Sequence, residues 1–291
     1  MKISNHTSIL EERFGVVGAL RLNCEAGFEA IDYSMYETDI PVFMPGSGAL
    51  ISEMKRVADS YGVVFNQAHA PYTKFRLGEE NTYRNKEIFR YVNRSVEIAA
   101  ELGASTIVVH PAFICRNLNA DERYEMNMEF FHALLPTARS CGINIAIENT
   151  WRRHKDNHDK IIKEVCSDAA ELIRYVDGMD SQYVSACLDI GHAALVGESP
   201  EEMIRALGGR IGTIHIHDND LISDLHTLPY TGSIDFSAVS SALADISYRA
   251  DVALEANCFL ESVPDALVGD ALKFAAKVAA HIRDEINSPK K

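Results

Sequence analysis

Ile214-His215-Ile216-His217-Asp218-Asn219-Asp220 is an apolar run that ends in alternating histidine and acidic or amide residues. It reads as a buried strand delivering metal ligands at its C-terminal end, because imidazole together with carboxylate suits Zn²⁺ or Mn²⁺. After a short gap comes Asp224-Leu225-His226, a second acid–imidazole pair in the loop that follows. Working outward, the same design recurs along the chain, with short β-type runs alternating with amphipathic helical runs.

Strands are expected at Lys2–Ser4, Phe28–Tyr33, Val63–His69, Thr106–His110, Ile143–Glu148, Tyr183–Asp189, Gly212–His217 and Val252–Glu255. Helical spacing falls between them, near 16–24, 48–60, 87–102, 122–140, 167–178, 200–207, 236–246 and 266–286. Gly27, Gly62, Gly103 and Gly142 stand where a helix meets the next strand, the position that asks for positive φ. Eight strand–helix units with near-continuous apolar strands predict a parallel sheet closed into a single-domain (β/α)8 TIM barrel over residues 1–287. Residues 288–291 are expected to be a disordered tail. A doubly wound open sheet is the alternative. Eight consecutive units and the lack of a glycine-rich phosphate turn count against it.

Composition narrows the function. A net charge of −14 repels nucleic-acid phosphates and anionic lipid surfaces, so nucleic acid is disfavoured as a partner. No stretch approaches a membrane span, and the first residues lack the apolar run of a signal peptide. The six cysteines include no C-x-x-C pair, which argues against structural zinc and a disulfide framework. The expected location is the reducing cytoplasm.

In a barrel of this type the C-terminal strand ends and the loops after them form the active face. Polar residues collect there on six of the eight strands: His69, His110, Glu148, Asp189 with His192, His215, and Glu255. A lone strand-end histidine is more often structural than a ligand, and a lone acid there often only caps the next helix. Recurrence in six separate loops is what points to one divalent-metal site.

The segments His69-Ala70-Pro71-Tyr72, Val109-His110-Pro111, Ile147-Glu148-Asn149-Thr150, Leu188-Asp189-Ile190-Gly191-His192, His215-Ile216-His217-Asp218 and Leu254-Glu255 together resemble the xylose-isomerase-like barrels. That superfamily includes sugar isomerases and epimerases and endonuclease IV. The resemblance implies a central metal site of Glu148, Asp189, His215 and Glu255. His217 is expected to point off the site, because the alternation is read as turning it away from His215 and His-x-x-Asp aligns on His215. Similarity to endonuclease IV extends to nine ligand positions, so His69, His110, His192, Asp224 and His226 are candidates for additional metal binding. The cofactor expected is one Mn²⁺ or Zn²⁺, with up to three ions allowed. Relatives are often dimers or tetramers, which leaves a homo-oligomer open.

Two chemistries follow from the resemblance. In a sugar isomerase or epimerase, one ion polarises a carbonyl and stabilises an enediolate, with Glu148 and Glu255 as the catalytic acid–base pair. His69, His110 and His192 would then bind a carbohydrate substrate, with Phe113, Trp151 and Tyr72 packed against it. In an endonuclease-like multi-zinc phosphodiesterase all nine residues are ligands, and a basic DNA track is needed. The densest basic run, Arg152-Arg153-His154-Lys155 with His158 and Lys160, reads as a solvated loop or a substrate-recognising lid. The ketose 3-epimerases carry an arginine six residues after the strand-seven histidine, where Leu221 stands here. A lyase or dehydratase acting on an oxidised sugar would use the same glutamate pair. A non-catalytic binding barrel is disfavoured because all four central ligands are kept.

Overall fold

The computed structural model describes residues 1–72, 76–77, 82–114, 118–154, 156–157 and 160–288. Eight parallel strands close into a barrel in chain order: β1 (Ile3–His6), β2 (Ala30–Ser34), β3 (Val64–His69), β4 (Thr106–Val109), β5 (Asn144–Glu148), β6 (Val184–Asp189), β7 (Ile211–Ile216) and β8 (Val252–Leu254). β8 pairs with β1 through Ile3 opposite Val252, so no edge is left open. The expected single-domain (β/α)8 barrel is therefore found.

The helices are α1 (Ser8–Ala26), α2 (Gly48–Tyr61), α3 (Thr82–Leu102), α4 (Ala120–Cys141), α5 (Ala169–Gly178), α6 (Ile190–Leu195), α7 (Pro200–Leu207), α8 (Phe236–Asp245) and α9 (Asp265–Asn287). Local chemistry starts several of them. Asn119 and Glu122 form a reciprocal capping box on α4, and Ser199 caps α7 ahead of Pro200 at its first turn. Gly27, Gly62, Gly103 and Gly142 all adopt positive φ at helix ends, as the sequence predicts. α1 starts earlier than its periodicity implies, because Gly15 (φ 69°, ψ 167°) kinks the chain and resets the register of the apolar face.

Two features escape the strand–helix pattern. α6 begins directly at the end of β6, with Asp189 as its N-cap. Part of the basic run, Trp151–Arg153, is a short strand paired antiparallel with Ile161–Lys163 rather than a plain loop, and Arg152 Nε pairs with Glu164 at 2.7 Å. Lys155 and His158 of that run, and residues 289–291 of the tail, lie outside the described residues.

The main apolar core lies between barrel and helices, around side chains such as Phe131, Tyr175, Phe236 and Leu20. Each stabilises the fold by roughly 1.5–3 kcal/mol through loss of water contact. A separate small cluster, Val108, Ala146 and Cys187, is fully buried. These residues sit two positions before His110, Glu148 and Asp189, on the same strand face. They plug the barrel beneath the polar strand ends. Among the described residues no helix is long and apolar enough to cross a membrane, and the described cysteines are all free.

Candidate metal centre

Sheet register brings the polar strand ends together. Asp189 stands opposite His215, Cys187 opposite Glu148, and His215 opposite Ala253, two residues before Glu255. Glu148, Asp189, His215 and Glu255 each present a ligand atom, and these atoms lie within 4.8 Å of one another. All four residues are buried. His215 Nδ1 is 3.0 Å from Glu148 Oε1 and 3.1 Å from Glu255 Oε2.

Three carboxylates in a site closed to water need positive charge. Burial pushes the Glu148 carboxyl up, but the His110 and His215 imidazoles outweigh it and hold it well below the carboxylate range. Glu255 is likewise held low, by His215 against burial. Even so, Asp189 Oδ2 and Glu255 Oε2 have no hydrogen-bond partner. Buried acceptors left without donors cost about 1–3 kcal/mol each. A divalent cation would satisfy both, so the residues present fit one.

A second group surrounds the first. His69 Nε2 and His110 Nε2 approach Glu148 Oε2 at 3.1 and 2.8 Å. On the other side, His192, His217, Asp224 and His226 present ligand atoms within the same 4.8 Å limit. Three of these histidines share one arrangement. The Nδ1 atoms of His69, His192 and His226 lie 2.7, 3.0 and 2.8 Å from the backbone oxygens of Ala70, Asn149 and Glu255. A carbonyl can only accept, so Nδ1 carries the proton and Nε2 turns a lone pair inward whenever the ring is neutral. In the absence of an ion, burial lowers the His192 and His226 pKa values, but the neighbouring acids, Asp224 shared by both, raise each to about 10. Asp224 itself is held well below its usual range by His192 and His226, despite burial. Its Oδ1 has no hydrogen-bond partner.

The segments that carry the family resemblance have local jobs that position these groups. Asn149 clamps β5 to β6: its Oδ1 accepts from Asp189 N at 2.7 Å, and its Nδ2 donates to Asp189 O at 2.9 Å. Asp189 does cap α6, accepting from His192 N through Oδ1 at 2.6 Å, but this leaves Oδ2 for a ligand. Asp218 anchors the loop that carries Asp224 and His226. Its carboxylate accepts from the backbone N of Asn219, Gly232 and Ile234, and its backbone bridges to Thr227. Gly191 has no side chain because the His217 ring occupies the space a Cβ would fill.

That ring overturns one expectation. His217 is fully buried in the site, with Nε2 3.1 Å from Asp189 Oδ1 and its ring stacked 3.8 Å from that of His226. Residues two apart on a strand share a face, so the alternation that places His215 in the barrel places His217 there too. Every other residue expected at the site is in or beside it, except that the Phe113 side chain lies outside the described residues. A cavity of about 270 Å³ opens above the centre, lined by Tyr72, His110, Thr150, Trp151, His192, Asp224, His226 and Glu255. Trp151 Nε1 donates to Asp224 Oδ2 at 3.2 Å, and Tyr72 stacks on His110.

Sequence reading missed the contributions of β1 and β2. Tyr36, just past β2, donates to Glu255 Oε1 at 2.5 Å and lies 3.2 Å from His6 Nδ1 at the end of β1. Applying the strand-end rule to all eight strands would have found His6. Asp32 and Gln67 lie deeper, against His215.

With this geometry in place, the comparisons are decisive for kinship. The profile of the xylose isomerase-like TIM barrels matches residues 20–278. The chain belongs to that family. Within it, an uncharacterized protein of Sinorhizobium fredii, y4fM, is 27% identical over 262 residues, covering 83% of this chain and 81% of that protein. A D-psicose 3-epimerase of Enterocloster bolteae is 26% identical over 122 residues, 42% of this chain and 36% of that enzyme. A crystal structure of a D-tagatose 3-epimerase-like protein superposes with a TM-score of 0.78, covering 99% of this chain and 98% of the other at 22% identity.

Proposed function

We propose that this family member is a divalent-metal-dependent epimerase or isomerase of a sugar or sugar derivative. The observation that carries the reading is the buried Glu148–Asp189–His215–Glu255 cluster, with unpartnered carboxylate oxygens, at the floor of a small cavity edged by aromatic rings. The sugar 3-epimerases among its relatives support the substrate class. These four residues would hold an ion such as Mn²⁺ or Zn²⁺, which would supply Lewis acidity toward a substrate carbonyl.

The chain's own residues do the rest. Glu148 and Glu255 flank His215 from two strands, so one carboxylate takes the proton from carbon and the other returns it on the opposite face. Tyr36 holds Glu255 through Oε1. His110 and His192, which line the cavity, bind sugar hydroxyls, while Trp151 and Tyr72 pack on the apolar face of the ring and exclude water.

The test is solvent exchange. Metal-loaded protein incubated in D₂O with D-psicose or D-tagatose is expected to place deuterium on the carbon beside the carbonyl and to form the epimer. No incorporation into any ketose of a broad panel would sink the reading.

A second reading is favoured by one observation, the inward Nε2 atoms of His192 and His226, 3.8 and 3.1 Å from Asp224 Oδ2, beside an Asp224 Oδ1 that has no hydrogen-bond partner. A further ion there would make the centre multinuclear, as in endonuclease-like phosphodiesterases. The net charge of −14 opposes DNA as its substrate. Elemental analysis, with an assay on abasic DNA, separates the two: near three zinc per chain with cleavage favours the nuclease.

A further inference from the structure

Two polar side chains with no part in the chemistry above flank the far nitrogen of His215, and a third holds one of them in place. While Nδ1 faces Glu148 and Glu255, Nε2 faces into the barrel, 3.3 Å from Asp32 Oδ2 and 3.0 Å from Gln67 Nε2. Asp32 and Gln67 are partners in the β2–β3 register, and both are buried. Thr213, two residues before His215 and so on the same strand face, donates its hydroxyl to Gln67 Oε1. With its oxygen engaged there, Gln67 turns its amide nitrogen to Asp32 Oδ2 at 2.6 Å. It has only a donor left to offer His215.

We propose that Asp32 is a positioning residue for the metal site, accepting the Nε2–H of His215 so that Nδ1 presents its lone pair to the ion. This rests on the metal-binding reading of the previous subsection. A neutral imidazole carries one proton, and if Nδ1 is the ligand that proton stays on Nε2. His215 is fully buried, so the N–H needs an acceptor inside the protein. Asp32 Oδ2 is that acceptor, since Gln67 turns its amide nitrogen, a donor only, toward His215 while its oxygen faces Thr213.

The alternative tautomer explains why an acid is needed. Without Asp32, the Gln67 amide beside Nε2 finds an acceptor in that nitrogen. The imidazole proton then moves to Nδ1 and occupies the position meant for the ion. Asp32 is itself costly to keep, being buried with Oδ1 unpartnered and Oδ2 bonded by one amide. A carboxylate behind a ligating histidine both fixes the ring and raises its basicity.

The test measures ion affinity, which needs no knowledge of the substrate. Mn²⁺ and Zn²⁺ are titrated into the full chain against a competing chelator, for wild type, Asp32→Ala and Asp32→Asn. Asp32→Ala is expected to weaken binding roughly 10- to 100-fold. Asp32→Asn, which keeps a neutral acceptor, is expected to recover part of the loss. A purely structural role predicts a lower melting temperature of the metal-free protein with affinity within about threefold of wild type, and that result overturns the proposal.

Should the variants not fold, the wild type answers directly. In the Zn²⁺-loaded, ¹⁵N-labelled protein, His215 is expected to show a slowly exchanging Nε2–H with cross-peaks to the Gln67 side-chain amide. A proton on Nδ1, or zinc on Nε2, overturns the inference while leaving the metal reading standing. A wild type that takes up neither ion overturns both.

Discussion

His217 Nε2 stands 3.1 Å from Asp189 Oδ1, which joins the central candidate ligand group to the loop group of His192, Asp224 and His226. The contact depends on Gly191, whose missing side chain leaves room for the ring. Gly191→Ala is therefore expected to displace His217 and disturb the loop group. In equilibrium dialysis with excess Mn²⁺, uptake beyond the first equivalent should weaken at least tenfold, with the first retained and the far-UV spectrum unchanged. Equal uptake beyond the first equivalent by variant and wild type would remove His217 from the candidate ligands.

Glu255 and Tyr36 form the other decisive pair. Glu255→Gln keeps the side chain's size but removes the proposed base, so exchange of the substrate C–H with D₂O is expected to fall at least 100-fold while sugar binding stays measurable. Tyr36→Phe removes the hydroxyl that donates to Oε1 and faces His6 Nδ1. It should lower kcat by about tenfold with KM nearly unchanged, because it alters the orientation of the base rather than the contact surface. Full exchange in Glu255→Gln would reject Glu255 as a base.

Asp218 predicts an effect on stability rather than chemistry. Its carboxylate serves three backbone N–H groups in the loop that ends at Ile234. Asp218→Ala strands those donors at a cost of roughly 2–4 kcal/mol, taking about 1–3 kcal/mol for a buried unsatisfied group and some rescue by water. Limited proteolysis should then cut within 219–233 well before global unfolding. Protection equal to wild type would show that the loop is held by its other contacts.

Glu11 gives a pH dependence away from the site. Burial drives its carboxyl up to about 7, partly opposed by a hydrogen bond from Thr7, and Oε1 has no partner. The unfolded chain titrates near 4.5, below the folded value. The neutral acid is thus the form the fold prefers. Its contribution is complete below pH 4.5 and is lost as pH rises through 7. Glu11→Gln should accordingly be more stable than wild type at pH 8, by roughly 3 kcal/mol at most, with the difference gone near pH 4.5. Urea unfolding at the two pH values checks the sign.

Much of this architecture is legible without coordinates. The strand ends His69, His110, Glu148, Asp189, His215 and Glu255 stand out because each interrupts an apolar run at the same place in a repeated unit. α6 was not legible, since a six-residue helix is too short to show a period. Asp32 and Gln67 were not either. Each sits inside a strand, where a buried polar residue has no distinguishing pattern until its neighbour is known.

His217 marks the boundary between the two kinds of information. Sequence by itself determined the repeat, the barrel and the residue types at its mouth, because strand period and helix capping are properties of neighbours along the chain. Which nitrogen of each histidine faces the centre was settled only by tertiary structure. That choice depends on a backbone oxygen of Ala70, Asn149 or Glu255, or, as proposed for His215, on a carboxylate from β2, brought close by closure of the sheet.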